Sequence, residues 1–369
     1  MKKKIRFFIT TLNAGGAEGV LINLLKWLDQ SRFDISLLTI YGGSYSKRLP
    51  PYVKYRCIVK SGRFGGFLKK VLLKLPPKLF ACLFLKGSYD HEVAYLEGAP
   101  TAFLSAKKTK GIKSAFVHCD LSVNRNIYPL YSNPEKCIET YNRFDNVCFV
   151  SDDAREGFVK TFGQIGNARV VHNVIDIDSV LKLAGSRIDC DYGDADLKLI
   201  TVGRLAPEKN YPMLLSVVSE LSREYKIELW ILGDGVQMDL LKQTAAEKSL
   251  TNVRFFGYTE NPYPYIKKAD LFVCSSRFEG YSTAVLESVI LSTPVITTNC
   301  AGMSEILGDN RYGLIVDNSR DGLKNGLASF LKNPGLLENY RKNLESFSKD
   351  ELPFYSDYTE LFENQKADK

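Results

Sequence analysis

Short apolar runs separated by helical stretches recur along this sequence, and that alternation admits few folds. "KIRFFIT", "DISLLTI", "HEVAYLE", "SAFVHC", "NVCFVS" and "ARVVHN" succeed one another with helical or irregular stretches between, the first of them "AEGVLINLLKWL". Strands apolar on both faces and joined through helices are the mark of a parallel sheet covered on each side. After the polar, acidic "NVIDIDSVLKLAGSRIDCDYGDADL" the pattern restarts with "LKLITVGRL", "IELWILGDG", "NVRFFGY", "DLFVCSS", "PVITTNC" and "YGLIVD", with helices predicted over 211–225, 236–249 and 283–292. A chain of 369 residues exceeds the usual size of one core. The fold class is α/β, with two Rossmann-like doubly wound domains. Residues 1–172 form the first domain, 173–195 a linker, 196–345 the second, and 346–369 an acidic closing segment expected to be helical and to return to the first domain.

Composition narrows the function classes. The eight cysteines include no C-x-x-C pair and most sit in apolar runs, so reduced buried thiols are expected and a zinc site or disulfide framework is not. The basic N-terminus leads into a five-residue stretch, "IRFFI", that is apolar but for Arg6 and shorter than a signal-peptide core, and no apolar run approaches a membrane span. A cytoplasmic protein is expected. The net charge of +7 is unevenly placed: residues 1–172 hold 27 Lys and Arg against 13 Asp and Glu. Between Lys47 and Asp90 there are 11 basic residues and one acid, interleaved with "FGGFLKKVLLKLPPKLFACLFLKG". That pattern suits an anionic membrane surface, or a crossover helix with a solvated basic face. No nucleic-acid partner is indicated, and nothing in the sequence sets an oligomeric state.

Ligands of open parallel sheets bind beyond the carboxyl ends of the strands, so the loops there carry the chemistry. Gly15 and Gly16 follow the first strand and precede a helix, a backbone able to approach an anion; a plain tight turn is the alternative. "LGDGVQM" lacks the third glycine of the dinucleotide fingerprint, since Met238 stands there. Gly203 opens "GRLAPEKN", in which Arg204 and Lys209 are suited to neutralise a diphosphate without a metal. His118 ends the strand "KSAFVHCD", where a substrate contact and a structural hydrogen bond are both open to it. In "RFEGYSTAVLES", Ser282 or Thr283 caps a helix, Glu279 lies in the loop before it and Glu287 about one turn inside. Two carboxylates beside a helix N-terminus suit vicinal hydroxyls, which each can accept in pairs, with the helix amides left for phosphate.

"GGAEGVLINL", "VGRLAPEKN", "FEGYSTAVLES" and "STPVITTNCAGMSEIL", in this order, resemble a retaining glycosyltransferase of family 4, a family of GT-B fold, and the resemblance covers nearly the whole chain. Its most specific element is Glu279 and Glu287 downstream of Arg204 and Lys209. The resemblance implies that Arg204 and Lys209 hold the diphosphate of a nucleotide sugar, that Glu287 binds the ribose and that Glu279 binds the transferred sugar. It further implies that the Gly15–Gly16 loop and the stretch Gly280, Tyr281, Ser282, Thr283, Ala284 and Val285 approach phosphate and sugar, that Tyr258 sits against the base and that His118 lies near the reaction centre. The chain departs from the pattern at Gly19, where a basic residue is usual, at Ser282 and Ser288, and at Ser292, where the usual motif has glycine.

The resemblance implies a hexose or N-acetylhexosamine moved from a UDP-sugar to a hydroxyl with retention, no metal and no cofactor. The basic first domain implies a glycan acceptor on a polyprenyl diphosphate, surface-polysaccharide assembly such as capsule or lipopolysaccharide, and a peripheral position on the inner membrane face. Four rivals remain, one of them a phosphorylase using inorganic phosphate, for which the chain shows no evident cofactor-lysine motif. A metal-dependent transferase would use Asp176 and Asp178, Asp189 and Asp191, or Asp194 and Asp196, all in the polar linker. The others are a bilobed sugar-binding protein without transferase activity and a transferase acting on a soluble or protein acceptor.

Overall fold

The computed structural model describes residues 1–13, 15–60, 65–124, 133–191, 193–347 and 354–363. It divides into two units: residues 1–175 with 353–369, and residues 176–352. Each is a parallel sheet wound by helices on both faces.

The first sheet contains β1 (Lys3–Ile9), β2 (Phe33–Tyr41), β3 (Lys54–Val59), β4 (His91–Ala94), β5 (Ile112–Val117), β6 (Asn146–Phe149) and β7 (Ala168–Val170), in the order β3-β2-β1-β4-β5-β6-β7. Its central strands are apolar on both faces because helices cover both: Phe7, Phe8, Phe116 and Phe149 are fully buried. β3 is the strand that the sequence pattern hides. In "KYRCIV" charged and apolar residues alternate at a sheet edge, where one face meets water, so the run reads as part of the basic segment. The rest of that segment contributes the helices Gly65–Leu73 and Pro77–Phe84; residues 61–64 lie outside the described set. Leu72, Phe80, Ala81 and Leu85 turn inward, whereas Leu68, Val71, Leu79 and Leu83 are exposed.

The helix Phe354–Glu363 belongs to this first unit. Phe362 packs edge-on against Phe7 and His91, Tyr358 stacks on Phe116, and Lys3 Nζ donates to the carbonyl of Glu363 at 2.6 Å. Buried aromatics and a cation on the helix's last carbonyl explain why a segment so distant in sequence docks here.

The second sheet contains β8 (Leu197–Val202), β9 (Ile227–Leu232), β10 (Val253–Gly257), β11 (Leu271–Cys274), β12 (Val295–Thr298) and β13 (Gly313–Val316), in the order β10-β9-β8-β11-β12-β13. The expected helices form at Tyr211–Leu221, Met238–Glu247 and Thr283–Ile290. Much of the stretch read as a linker is structured: Ile177–Leu183 is a helix of the second unit, with Ile177 and Val180 buried. Its polar look comes from side chains at work locally. Asp176 caps that helix through Ser179, Asp191 pairs with Lys268, Asp194 with Lys226, and Asp196 accepts the amide of Lys226.

In both sheets the winding reverses at the centre, between β1 and β4 and between β8 and β11. Such reversals leave a crevice at the carboxyl edge.

Phe362, 1% exposed, tests the docking of the last helix. Phe362→Ala is expected to lower the stability of the first unit by about 3–4 kcal/mol, read as an earlier denaturant transition for that unit. A loss below about 1 kcal/mol would contradict the packing described.

Candidate active site

The loops after β8 and β11, the two strands at the reversal of the second sheet, carry most of the residues that the sequence singles out. They are tied to each other and to their neighbours. Gly203 N donates to the Leu232 carbonyl at 3.0 Å, Leu205 N to Asp234 at 2.9 Å, and Gly233 N to Gly257 at 2.8 Å, which joins the loops after β8, β9 and β10. A Cβ on Gly233 or Gly235, both at positive φ, would run into the carbonyl oxygens of Gly203 and Leu205. The "LGDG" glycines thus let two backbones meet, a structural use that calls for no third glycine.

The loop after β11 is sewn to the loop after β8 by several bonds, the Arg277 guanidinium reaching Asn210 Oδ1 at 3.4 Å among them. Arg277 N donates to the Glu208 carbonyl at 2.7 Å, Ser275 Oγ donates to the Lys209 carbonyl at 2.9 Å, and Lys209 Nζ meets Glu279 Oε1 at 2.6 Å. Ser276 Oγ donates to the same carboxylate oxygen at 2.6 Å. On the other side Thr298 Oγ1 donates to the Ser276 carbonyl at 2.6 Å, and Asn318 Nδ2 to the Arg277 carbonyl at 2.9 Å. The Lys209 and Glu279 side chains are 22% and 13% exposed, so this ion pair is screened from water yet reachable. Burial alone would pull the lysine's pKa down. Glu279 outweighs it and holds the ammonium above its ordinary range.

Arg204 behaves differently. Its side chain is 64% exposed and pairs with Glu208 at 3.1 Å, so the two cations sit apart: one in a lined recess, one at the surface. Lys209, Ser275, Ser276, Ser282 and Ala284 line a small cavity at this edge. Ser282 occupies the cap position of the helix Thr283–Ile290 and is 5% exposed, but its hydroxyl makes no capping bond. Gly280, Tyr281 and the first turn Thr283 to Val285 complete the loop, Tyr281 being buried. Glu287 lies one turn inside, its Oε1 accepting from the Tyr263 hydroxyl at 3.0 Å. Burial pushes the Glu287 carboxyl up to about 7, opposed by that hydroxyl bond, which favours the ionised form. Tyr258 is exposed beside Gly257, past the outermost strand of the sheet.

Two of the departures from the usual motifs find local explanations. Ser288 spends its hydroxyl on the Ala284 carbonyl at 2.9 Å, inside its own helix. Ser292 takes φ +56, the left-handed region where glycine is at ease, a strain of about 1–2 kcal/mol for serine.

In the first unit, Gly15 caps the helix Gly16–Trp27, and the Glu18 carboxylate folds back over it, so the loop already carries an anion of its own. His118 follows β5. Its ring packs against Tyr95 and Phe116 at 4.8 and 5.8 Å between centroids, and both ring nitrogens are shut off from water, with the Asn173 side chain beside the ring. Asp120 accepts both donors of Ser122. The eight cysteines are free thiols, five of them buried; Cys82 is exposed, contrary to the expectation of burial, because it lies on the outer face of the helix Pro77–Phe84. Sequence reasoning missed Ser276, Tyr263, Glu208 and Glu97. Only Glu208 had a readable signal, its spacing of four from Arg204.

Residues 193–347, the body of the second unit, match the family described as "Glycosyl transferases group 1". Over the full length the chain is similar to the N-acetylgalactosamine-N,N'-diacetylbacillosaminyl-diphospho-undecaprenol 4-alpha-N-acetylgalactosaminyltransferase of Campylobacter jejuni, at 26% identity, covering 94% of this chain and 95% of that one. Among solved structures it resembles HepE of Anabaena in complex with UDP and glucose, with a TM-score of 0.72 at 17% identity over 97% of this chain and 99% of that one. It also resembles TarM, with a TM-score of 0.75 at 14% identity over 99% of each. The fold is GT-B. The chain is an enzyme, a glycosyltransferase that moves hexosyl groups.

The half-buried Glu287 carboxyl gives a signed test. Its folded pKa is raised above the ordinary 4.5, so its ionisation opposes folding fully above pH 7, and the opposition fades as pH falls from 7 toward 4.5. Glu287→Gln is expected to be roughly 1–3 kcal/mol more stable than wild type at pH 8 in denaturant melts, and to lose that advantage toward pH 4.5. A difference independent of pH would contradict the burial assigned to Glu287.

Proposed function

We propose that this chain is a retaining family 4 transferase that moves a hexose or N-acetylhexosamine from a UDP-sugar to a hydroxyl of a lipid-linked glycan, in surface-polysaccharide assembly. The observation that carries the donor side is the Lys209–Glu279 pair at the sheet reversal, with Glu287 one helical turn further on. A diphosphate arriving beside Lys209 finds a fixed ammonium, and Glu279, relieved of part of that charge, turns acceptor for sugar hydroxyls. Glu287 accepts from the ribose, Arg204 swings from Glu208 to the phosphates, and the first-turn amides after Ser282 face the departing charge. The backbone near Tyr258 receives the base. With two cations and helix amides available, no metal is needed to neutralise the leaving diphosphate.

The acceptor side rests on charge and on relatives. The Campylobacter protein acts, by its name, on a diphospho-undecaprenol glycan, a membrane-embedded anion. In this chain Leu68, Val71, Leu79 and Leu83 are each at least 40% exposed on two neighbouring helices, with Lys70, Lys74, Lys78 and Lys86 exposed among them. Apolar side chains interleaved with lysines suit shallow insertion under anionic headgroups, which supports a peripheral position on the membrane's inner face.

Two experiments test these readings. Arg204→Ala, which removes an exposed side chain, and Lys209→Ala are each expected to lower UDP-sugar transfer by about 10²–10³ while wild-type transfer persists in EDTA. Full transfer in either variant, or abolition by EDTA, would contradict the donor site. Flotation with phosphatidylglycerol vesicles at low salt is expected to retain wild type and release Leu79→Glu/Leu83→Glu, whose sites are exposed and spare the fold. Equal flotation of the two would sink the membrane surface.

A further inference from the structure

The first unit carries a carboxylate at its own sheet reversal that the donor chemistry does not use. β4 and β5 are neighbours in register with Ala94 opposite Ala115, so Glu97 and His118, each three residues further on, emerge side by side at the carboxyl edge. Glu97 is fixed from several directions. Its Oε2 accepts the main-chain amide of His118 at 3.0 Å, and its Oε1 accepts the Cys119 thiol at 3.2 Å, which itself accepts from Asn124 Nδ2 at 3.2 Å. Gly98 turns the chain at φ +85 directly after it, and Thr101 Oγ1 ties the Leu96 carbonyl at 2.9 Å before the next helix begins.

A fixed carboxylate has room for about four hydrogen bonds, and these two main-chain and thiol donors take one on each oxygen. The other acids of this edge are committed elsewhere: Glu18 folds over Gly15, and Asp120 serves Ser122. Beside Glu97 stands an imidazole whose two nitrogens are both buried, with the Asn173 side chain able to engage no more than one of them. A buried polar group left unpaired is costly, and a ligand donating to or accepting from it removes that cost. Burial holds this histidine's pKa down, with Glu97 and Asn173 pulling the other way, so a neutral ring is available both to donate and to accept.

We propose that Glu97 is an acceptor-binding residue, whose carboxylate takes a hydrogen bond from a hydroxyl of the acceptor glycan while its other contacts set the position of His118. The occupant is a sugar hydroxyl because two spare lone pairs on a fixed anion next to a neutral imidazole favour a neutral donor over a phosphate. The proposal rests on the reading of a glycan acceptor on a lipid diphosphate.

Glu97→Gln separates this role from a structural one, since the amide oxygen still accepts the His118 amide. The probe is an N-acetylgalactosamine-terminated disaccharide on a short-chain prenyl diphosphate, with binding measured calorimetrically and transfer measured alongside. Glu97→Gln is expected to weaken probe binding and raise its KM by about tenfold or more, with melting temperature and donor KM unchanged. Equal probe affinity in wild type and Glu97→Gln would overturn the role of Glu97 alone. A wild type without affinity for the probe would overturn the lipid-linked acceptor reading, and with it the assignment of Glu97 to that acceptor.

Discussion

The site in the second unit depends on one ion pair. Lys209 and Glu279 lie 70 residues apart in sequence, yet they meet at 2.6 Å because β8 and β11 are neighbours where the sheet reverses its winding. The pair is also the clasp between two loops that would otherwise hold their backbones independently. Around it the Ser275 hydroxyl, the Arg277 amide, Thr298 and Asn318 complete a rigid rim, so the charges are placed before any ligand arrives. Preorganised charge of this kind is the largest contribution an enzyme can make to a departing anion.

The alternation of strands and helices was legible because parallel, two-sided burial writes apolar runs directly into the sequence. The edge strand β3 was not, since an edge residue answers to water on one side and its lysine and arginine mask the period. The helix in 173–195 was hidden for a related reason: the acids that made the stretch look solvated cap and pair within the second unit. At the site, the residue types of Lys209, Glu279 and Glu287 announced themselves by charge beside loop glycines. Their partners Ser276 and Tyr263 did not, because a hydroxyl has no sequence signature until a fold brings a carboxylate to it. Arg204 shows the reverse limit: its spacing from Lys209 is plain in sequence, but only the fold tells that one cation is recessed and the other rests on Glu208.

The two units divide the physical problem. The second offers fixed charge and a rim of hydroxyls at its reversal. The first combines a basic, partly apolar exterior on Gly65–Leu73 and Pro77–Phe84 with an aromatic layer beneath His118, into which Tyr358 of the last helix is built. Its glycine loop is already covered by Glu18, so an anion there would compete with a resident carboxylate.

The most direct measurement is a structure of the protein with UDP bound in the presence of EDTA. The diphosphate is expected within hydrogen-bond distance of Lys209 Nζ, the Arg204 guanidinium turned away from Glu208, and the ribose on Glu287. Nucleotide bound at the edge of the first sheet, or a diphosphate out of reach of Lys209, would contradict this placement.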